Sequence, residues 1–335
     1  MLANLTLRFC KVHPVLRAAM HTAYTVEVSW GDRAKPGACS AVSKASTGPP
    51  CVTLTSLRDR VTVGSLRWAP TAAYSTLVGA TARRVIPRAL RAPLYRAFAR
   101  RFGVDLAEVA DPLPSFPTFG DFFARTLVAG ARPVDPAPLV SPCDGAVGAC
   151  GTVTRGSLVQ AKGHQYRLTD LVADDALAAA LDGGQFATIY LSPRNYHRVH
   201  SPVSGQVARY HYVPGRRWPV SPTYVEHVAQ LFAVNERVVI ELASPWGPIA
   251  VVMVSATGVG NIWLSQVGHD SRAWRAQGEL RHVTVDAAVG AGDELGAFLL
   301  GSTVVMVLPP GAPTLVMPEA GAAIRCGRAI AGGAA

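Results

Sequence analysis

The chain has 335 residues, of which 49% are hydrophobic and 16% are charged, and it carries 31 glycines and 25 prolines. This length allows one large domain or two modest ones, and the many helix-interrupting residues argue against a helical bundle. The six cysteines form no CxxC pair. This pattern argues against a disulfide framework or a cysteine-based zinc site, so we expect a reducing compartment.

Most of the net charge of +10 comes from one segment. Residues 58–101 hold ten arginines and a single acid, Asp59. Leu90, Leu94 and Phe98 recur every four residues among these arginines. Such a line is typical of a helix in a membrane interface, or of a solvated helix that packs the line on its own domain. We predict peripheral contact with an anionic membrane, and the lack of a nucleic-acid motif disfavours nucleic acid.

Three regions are predicted along the chain, and together they indicate an α+β protein. Residues 1–57 show no periodicity and are expected to form a poorly ordered leader. Residues 58–115 are predicted to be a basic, helical, membrane-associated region. Residues 116–335 are predicted to form the catalytic domain, a mainly antiparallel β-sandwich or barrel.

Two stretches of this last region lack charge for more than twenty residues, namely 242–264 and 295–318. Both contain internal proline and glycine and are rich in valine, which predicts buried strands joined by turns instead of membrane spans. A short pattern, S-P-x-x-G-x-V, occurs at Ser141–Val147 and again at Ser201–Val207. This repeat suggests an internal duplication of a β unit.

Gly301 and Ser302 stand immediately before a valine-rich strand. The ordinary interpretation of such a pair is a turn or a bulge. The chemical interpretation is that the Ser302 hydroxyl attacks the carbonyl carbon of Gly301, which carries no side chain, when a base removes the serine proton.

His197 and His200 are candidates for such a base. On a strand their spacing sends the two rings to opposite faces, whereas on a helix it could form a metal-binding pair. Prolines at 193 and 202 favour an extended segment, so a metal pair is the weaker interpretation. A further candidate is Asp144, although an aspartate beside a glycine is most often a solvated turn residue.

Seven motifs in this order resemble the phosphatidylserine decarboxylase family. The resemblance covers about residues 67–311. The motifs are Phe119–Arg125, Ser141–Gly145, Gln160–His164, Tyr190–His200, Phe232–Arg237, Val252–Gly260 and Leu300–Thr303.

The resemblance implies a self-cleaving precursor. It makes Ser302 the nucleophile that cuts the bond to Gly301, His200 its general base, and Asp144 the group that orients His200. The peptide bond would become an ester, and elimination and hydrolysis would leave a pyruvoyl group in place of Ser302.

The resemblance also implies the reaction, conversion of phosphatidylserine to phosphatidylethanolamine and carbon dioxide. Neither a metal nor pyridoxal phosphate is expected, because the pyruvoyl carbonyl accepts the electron pair left by carbon dioxide. We predict that His197 handles the substrate carboxylate or reprotonates the carbanion.

The expected partners are phosphatidylserine in an anionic membrane and the two fragments of the same chain, 1–301 and 302–335. A homodimer is left open. The expected location is peripheral, on the cytoplasmic face of a bacterial inner membrane, with the mitochondrial inner membrane as the alternative.

Two alternative functions remain open from the residues alone. One is a serine hydrolase that uses Asp144, His200 and Ser302 on an external substrate, although no G-x-S-x-G elbow is present. The other is a non-catalytic, carrier-like β module built from the two repeats.

Overall fold

The structure, a computed structural model, describes residues 78–159, 165–256, 261–299 and 302–332. The side chains of residues 222 and 223 are not described. All the described residues belong to one compact unit, residues 36–335. The predicted leader, the first part of the basic region and Gly301 lie outside the described residues, and the proposed region boundaries stay predictions.

The α-helices within the described ranges are short, apart from the first. They are α1 (Arg88–Phe102), α2 (Phe119–Phe123), α3 (Leu168–Val172), α4 (Asp175–Leu181), α5 (Pro222–His227), α6 (Leu231–Val234) and α7 (Arg272–Arg275). Residues 78–82 are also helical, and Leu113–Ser115 form a 3₁₀ turn. A search of the described helices finds none with the length and apolar character needed to span a membrane.

The strands dominate the chain after residue 144. They are β1 (Gly145–Thr152), β2 (Ser157–Val159), β3 (Gln165–Arg167), β4 (Gln185–Leu191), β5 (Arg198–His200), β6 (Gly205–Val213), β7 (Arg237–Ser244), β8 (Gly247–Ser255), β9 (Ile262–Leu264), β10 (His269–Asp270), β11 (Arg281–Val289), β12 (Glu294–Phe298), β13 (Ser302–Leu308) and β14 (Ala323–Ile324).

These strands form antiparallel sheets. The largest has eight strands in the order β11-β6-β7-β8-β13-β4-β1-β14, a second has the order β10-β9-β12-β5, and β2 pairs with β3. Each pairing of neighbouring strands is antiparallel. The prediction of a mainly antiparallel β body with some helices is therefore confirmed.

Successive residues of β13 pack on opposite faces of the large sheet, as the two-residue period of a strand requires. Val304 and Met306 belong to the core that also contains Phe298 of the four-stranded sheet. Val305 packs in a second core with Leu171 of α3. A central strand that is buried on both faces is apolar throughout, which explains the uncharged, valine-rich stretches and confirms strands instead of membrane spans there.

The two copies of the repeated pattern occupy similar places. Gly145 is the first residue of β1 and Gly205 is the first residue of β6, and both strands belong to the large sheet. A Cβ atom at Gly145 would lie 2.6 Å from the carbonyl oxygen of Tyr190, and one at Gly205 would collide with the carbonyl oxygen of Ala243. The shared glycine thus allows close approach of a neighbouring strand in both copies. The duplication itself stays a prediction.

The predicted apolar line of α1 divides in the structure. Phe98 packs edge to face against Phe119, with ring centroids 4.9 Å apart. Leu90 and Leu94 are 48% and 46% exposed. The packed face of the helix instead includes Tyr95, which is fully buried. Part of the line therefore packs on the protein, and part stays available to a membrane.

Candidate active site

Ser302 is the first residue of β13 and lies in the middle of the large sheet. It stands opposite Leu191 of β4 on one side and Ser255 of β8 on the other. Its side chain is buried. By strand alternation it shares a face with Val304, so it points towards the four-stranded sheet. The candidate nucleophile is therefore held by backbone pairing on both sides, although Gly301 lies outside the described residues.

Two hydroxyl groups without a hydrogen-bond partner among the described residues meet at the start of β13. They are the Oγ atoms of Ser302 and Ser255, which belong to residues that stand directly opposite each other on β13 and β8. Oγ1 of Thr303, Nδ2 of Asn261 and Nε2 of His197 are also buried without a partner among these residues. A buried polar atom left without a partner costs about 1–3 kcal/mol, so the paired serine hydroxyls make the start of β13 a candidate place for chemistry.

His200 is the last residue of β5, and both of its ring nitrogens have partners. Nδ1 lies 2.8 Å from the carbonyl oxygen of Gly292, and Nε2 lies 3.0 Å from the hydroxyl of Tyr196. A carbonyl can only accept, so Nδ1 carries the hydrogen and Nε2 accepts from the tyrosine. Burial lowers the pKa of His200 below its ordinary value. The ring is therefore neutral near pH 7, with its basic nitrogen on the Tyr196 hydroxyl.

Asp144 is held by a different partner from the expected one. Nε and Nη2 of Arg132 donate to its two carboxylate oxygens, at 2.8 and 2.6 Å, and the backbone N–H of Cys326 donates to it at 2.9 Å. None of the hydrogen bonds described for Asp144 joins it to His200. Their link is indirect. The backbone N–H of His200 donates to the carbonyl of Pro142 at 2.7 Å, two residues before Asp144. The Asp144 charge also opposes the lowering of the His200 pKa that burial causes.

His197 lies one residue before β5 and is fully buried. Its Nδ1 donates to the carbonyl of Asn195 at 2.8 Å, and its ring lies 4.0 Å from the ring of Phe123, measured between centroids. Burial and the charge of Arg125 lower the pKa of His197 to about 3, against the opposing effect of Asn195. His197 is therefore a neutral ring whose Nε2 carries a lone pair and has no hydrogen-bond partner among the residues that the structure describes.

The two motif histidines have separate surroundings, as an extended segment requires. Val199 packs into the core between the sheets, so the neighbouring side chain of His200 points to the other side of β5. The expectation of an extended segment is confirmed for Arg198–His200 only, since residues 193–195 form a turn and His197 lies outside the strand. The structure does not bring His200, Asp144 and Ser302 into one hydrogen-bonded triad, since Ser302 Oγ has no partner among the described residues.

Three residues near the site were not singled out by sequence reasoning. Tyr196 and Arg125 lie inside two of the seven motifs, and their place there was the available signal. Arg125 is buried and donates to the carbonyls of Arg194 and Asn195, both at 3.1 Å, so it holds the loop before His197. Arg132 lies outside every motif and carried no signal.

Comparison with known proteins gives one consistent family. The sequence profile of phosphatidylserine decarboxylase matches residues 119–332. The phosphatidylserine decarboxylase proenzyme of Anaeromyxobacter sp. (strain K) is 44% identical over 284 residues, which are 83% of this chain and 100% of the relative. The proenzyme of Acidovorax ebreus (strain TPSY) is 41% identical over 288 residues, 82% of this chain and 98% of the relative. That of Methylibium petroleiphilum is 44% identical over 244 residues, 71% of this chain and 86% of the relative.

Proposed function

This chain belongs to the phosphatidylserine decarboxylase family, and we propose that it makes its own pyruvoyl group by cutting the bond between Gly301 and Ser302. The enzyme removes the carboxyl group of phosphatidylserine and leaves phosphatidylethanolamine. The observation that supports self-cleavage best is the buried hydroxyl of Ser302 at the first position of a central strand, where it has no hydrogen-bond partner in the described parts of the chain. The relatives are named proenzymes, in agreement with a precursor that is cut.

The proposed cut begins when Ser302 Oγ attacks the carbonyl carbon of Gly301. The peptide C–N bond breaks as the ester C–O bond forms, and the serine proton passes to a base. Loss of the Cα proton of Ser302 then breaks the Cβ–O bond and frees a carboxylate on Gly301. Water replaces the remaining nitrogen, which leaves as ammonia, and the residue becomes a pyruvoyl group.

We assign the base to His200, because its Nε2 is unprotonated and burial keeps the ring neutral. The Tyr196 hydroxyl already donates to this nitrogen, so that hydrogen bond has to open or the tyrosine oxygen has to relay the proton. Asp144 would act on His200 through its charge, since Arg132 occupies both of its oxygens. A fixed negative charge favours the protonated ring that forms during the attack.

The proposed decarboxylation step uses His197. The pyruvoyl group supplies a carbonyl that accepts the electron pair left by carbon dioxide. The neutral Nε2 of His197 can accept a hydrogen bond from the substrate's ammonium group, and a substrate carboxylate beside the ring would raise its lowered pKa. A ring protonated in this way would then donate its proton to the carbon from which carbon dioxide has left. The ring is therefore proposed to begin the cycle neutral.

The membrane contact is also a proposal. Leu90 and Leu94 are exposed on α1, which carries several arginines, and Val85 just before this helix is 71% exposed. Arginines near an anionic surface each contribute about 1 kcal/mol to binding. We place the enzyme peripherally on the cytoplasmic face of a bacterial inner membrane.

Denaturing mass spectrometry of the purified protein tests the self-cleavage. We expect a fragment of residues 302–335 that begins with pyruvoyl, and an uncut, inactive chain for Ser302→Ala, because alanine has no hydroxyl to attack the bond. For His200→Ala we expect the uncut precursor to accumulate. A cut and active Ser302→Ala protein would overturn the proposal, while normal cutting in His200→Ala would move the base elsewhere.

The serine hydrolase alternative loses support from the geometry. A hydrolase of this kind needs a carboxylate to hold the histidine ring, and the Asp144 carboxylate is held by Arg132. The carrier-like alternative does not account for a family of decarboxylase proenzymes. Intact mass again separates these functions, because a hydrolase or a carrier would remain one chain.

A further inference from the structure

A second group of chemically active side chains lies on the large sheet, well away from Ser302. Asp174, His211 and His282 present ligand atoms that all lie within 4.8 Å of one another, and a search of the described residues for three or more metal-type ligands finds this group. His211 is in β6, which β7 and β8 separate from β13. With neighbouring strands about 4.8 Å apart, the group is at least about 14 Å from the strand of Ser302.

The three residues come from different elements that meet at the edge of the sheet. His282 lies in the edge strand β11, directly opposite His211 in β6. Asp174 is the N-terminal cap of α4, which packs on the face of the sheet with α3. His211 is fully buried, Asp174 is half-buried and His282 is exposed. The group is thus closed on the protein side and open to water at His282.

The hydrogen bonds of His211 fix which of its nitrogens can bind a ligand. Its Nε2 lies 3.1 Å from Oε2 of Glu241. An ionised carboxylate can only accept a hydrogen bond, so Nε2 of His211 carries the hydrogen. Nε and Nη2 of Arg209 also donate to the two oxygens of Glu241, at 3.0 and 3.2 Å, which holds this carboxylate in place. The lone pair of His211 is therefore on Nδ1. A carboxylate behind the imidazole is the arrangement that orients metal-binding histidines in proteins.

Nδ1 of His211 faces two further donor atoms. Nδ1 of His282 lies 2.6 Å away and donates its hydrogen to Nδ1 of His211, so a metal ion would replace this hydrogen; Oδ2 of Asp174 lies 3.9 Å away. The other oxygen of Asp174, Oδ1, accepts from the backbone N–H of Leu177 at 2.8 Å, which fixes the position of the carboxylate. Two imidazole nitrogens and one carboxylate oxygen therefore converge on one point, and each is fixed by a partner or by its strand.

We propose that Asp174, His211 and His282 bind a zinc ion or a similar divalent transition metal ion, with water in the fourth position. Zinc accepts imidazole nitrogen and carboxylate oxygen at about 2.0–2.2 Å, so the two nitrogens of a tetrahedral site are about 3.3 Å apart. The exposed ring of His282 has to move outwards by about 0.7 Å to reach that spacing. Oxygen-preferring ions such as Mg²⁺ would bind poorly, because two of the three donors are nitrogens.

The site would be structural and takes no part in the decarboxylation. The bound ion would link the edge strand β11, the buried His211 of β6 and the start of α4. In the large sheet β11 pairs only with β6, so this link would hold the edge strand in place. A metal ion that binds only the folded chain raises its stability in proportion to the logarithm of metal concentration. The expectation of a reaction without metal is unaffected.

Zinc titration of the purified, chelator-treated enzyme tests the proposal. Isothermal calorimetry should show one Zn²⁺ per chain, and one equivalent of Zn²⁺ should raise Tm while Mg²⁺ should not. Substitution by Co²⁺ should give the visible absorption of a tetrahedral nitrogen and oxygen site.

The variants separate this site from adventitious binding. His282→Gln removes an exposed ligand, and Asp174→Asn removes the charge but keeps a good helix cap, so both should fold and lose the Zn²⁺-dependent rise in Tm. Glu241→Gln should weaken binding about 10- to 100-fold, the usual cost of losing an orienting carboxylate. His227→Gln is the matched control and should bind as the unaltered enzyme does.

Two outcomes would overturn the proposal. One is an unaltered enzyme that binds no Zn²⁺ in the calorimeter. The other is His282→Gln and Asp174→Asn variants that retain the stoichiometry, the affinity and the Tm rise, which would assign the ion to another place on the chain. Either result leaves the self-cleavage experiment untouched, because that experiment measures fragment mass.

Discussion

The two histidines of the Tyr196–His200 segment differ in which proton they can exchange. His197 has a pKa lowered to about 3 and an Nε2 without a partner among the described residues, whereas the Nε2 of His200 accepts from Tyr196. A buried acceptor nitrogen of this kind can bind a donor group of an incoming molecule, and a carboxylate on that molecule would raise the pKa of the ring. This difference supports separate roles, His200 in maturation and His197 in turnover.

The first residue-scale prediction is that His197→Ala still cuts itself but turns over slowly. Ser302, His200 and Asp144 are unaltered, so the fragment of residues 302–335 should form. Carbon dioxide release should fall by about 10²- to 10⁴-fold, as is typical when a positioned proton-transfer group is lost. Gel mobility and carbon dioxide release on one preparation measure both. An uncut variant would assign His197 to maturation, and a fully active one would leave it a structural role.

A second prediction follows from the lowered pKa of His197. The unfolded chain binds a proton at this residue below about pH 6.5, whereas the folded chain resists it down to about pH 3. Stability from this group is therefore present above pH 6.5 and is lost as the pH falls. At pH 5 the loss is about 2 kcal/mol in the free energy of unfolding.

Urea unfolding of two uncut chains measures this effect. Ser302→Ala should lose stability between pH 7 and pH 5 more steeply than Ser302→Ala with His197→Gln, because every other titrating group is common to both. Parallel curves would show that His197 is protonated in the folded chain at pH 5.

At this scale the sequence offered candidate reacting groups but not their contacts. Ser302 and the two histidines are candidates because each lies in a motif with chemical meaning, and their roles stay predictions. The partner of Asp144 was not found, because Arg132 and Asp144 are brought together by tertiary folding and no spacing rule links them. Ion pairs between loops depend on the path of the chain, which the local pattern does not contain.

At the scale of elements, α1 shows how one apolar line can serve two surfaces. The helix continues through Pro93, and its Gly103 cap has a positive φ of 76°. Tyr95 stacks on Phe122 with centroids 4.4 Å apart, which fixes the orientation of the helix on the protein. Leu90 and Leu94 are left on an exposed surface beside the arginines.

We predict that the double variant Leu90→Asp, Leu94→Asp binds phosphatidylserine vesicles at least about tenfold more weakly. Half of each leucine is exposed, so insertion contributes about 1 kcal/mol per residue, and the added negative charges oppose the anionic surface. Co-sedimentation with vesicles at low salt measures binding.

The matched control for this prediction is Val128→Asp, Val316→Asp, which changes two other exposed apolar side chains, 41% and 50% exposed. It should bind as the unaltered protein does. Equal weakening by both pairs would mean that net charge alone governs binding, and no weakening by either would remove α1 from the membrane contact.

Elements were predictable where their pattern is local. The uncharged valine stretches predicted strands, and β8 and β13 lie there. The order of strands was not predictable, because β13 inserts between β8 and β4 although both precede it in the chain by many residues. Such long-range pairing is decided by the packing of both sheet faces, not by any one segment.

At the scale of the whole molecule, the proposed small fragment, residues 302–335, pairs with strands of the large fragment, residues 1–301. All seven residues of β13 are buried between β4 and β8. The same fragment contributes β14, which pairs with β1, and the backbone N–H of Cys326 that donates to Asp144. Cutting one peptide bond before Ser302 breaks none of these contacts.

We therefore predict that the two fragments stay together after cleavage. Size-exclusion chromatography of the matured protein should elute residues 1–301 and 302–335 in one peak, and only a denaturant should separate them. The unprocessed Ser302→Ala chain provides the reference elution volume. Loss of the small fragment on native dialysis would contradict the central position of β13.

The central position of Ser302 also makes maturation a test of assembly. Its hydroxyl reaches its place only when β4 and β8 have both paired with β13, and those strands are far apart in the chain. If self-cleavage proceeds as proposed, a misfolded copy would keep an ordinary serine and an intact backbone and would not acquire a reactive carbonyl. Each newly made chain would then become active only after it has folded correctly, and defective copies would stay inactive.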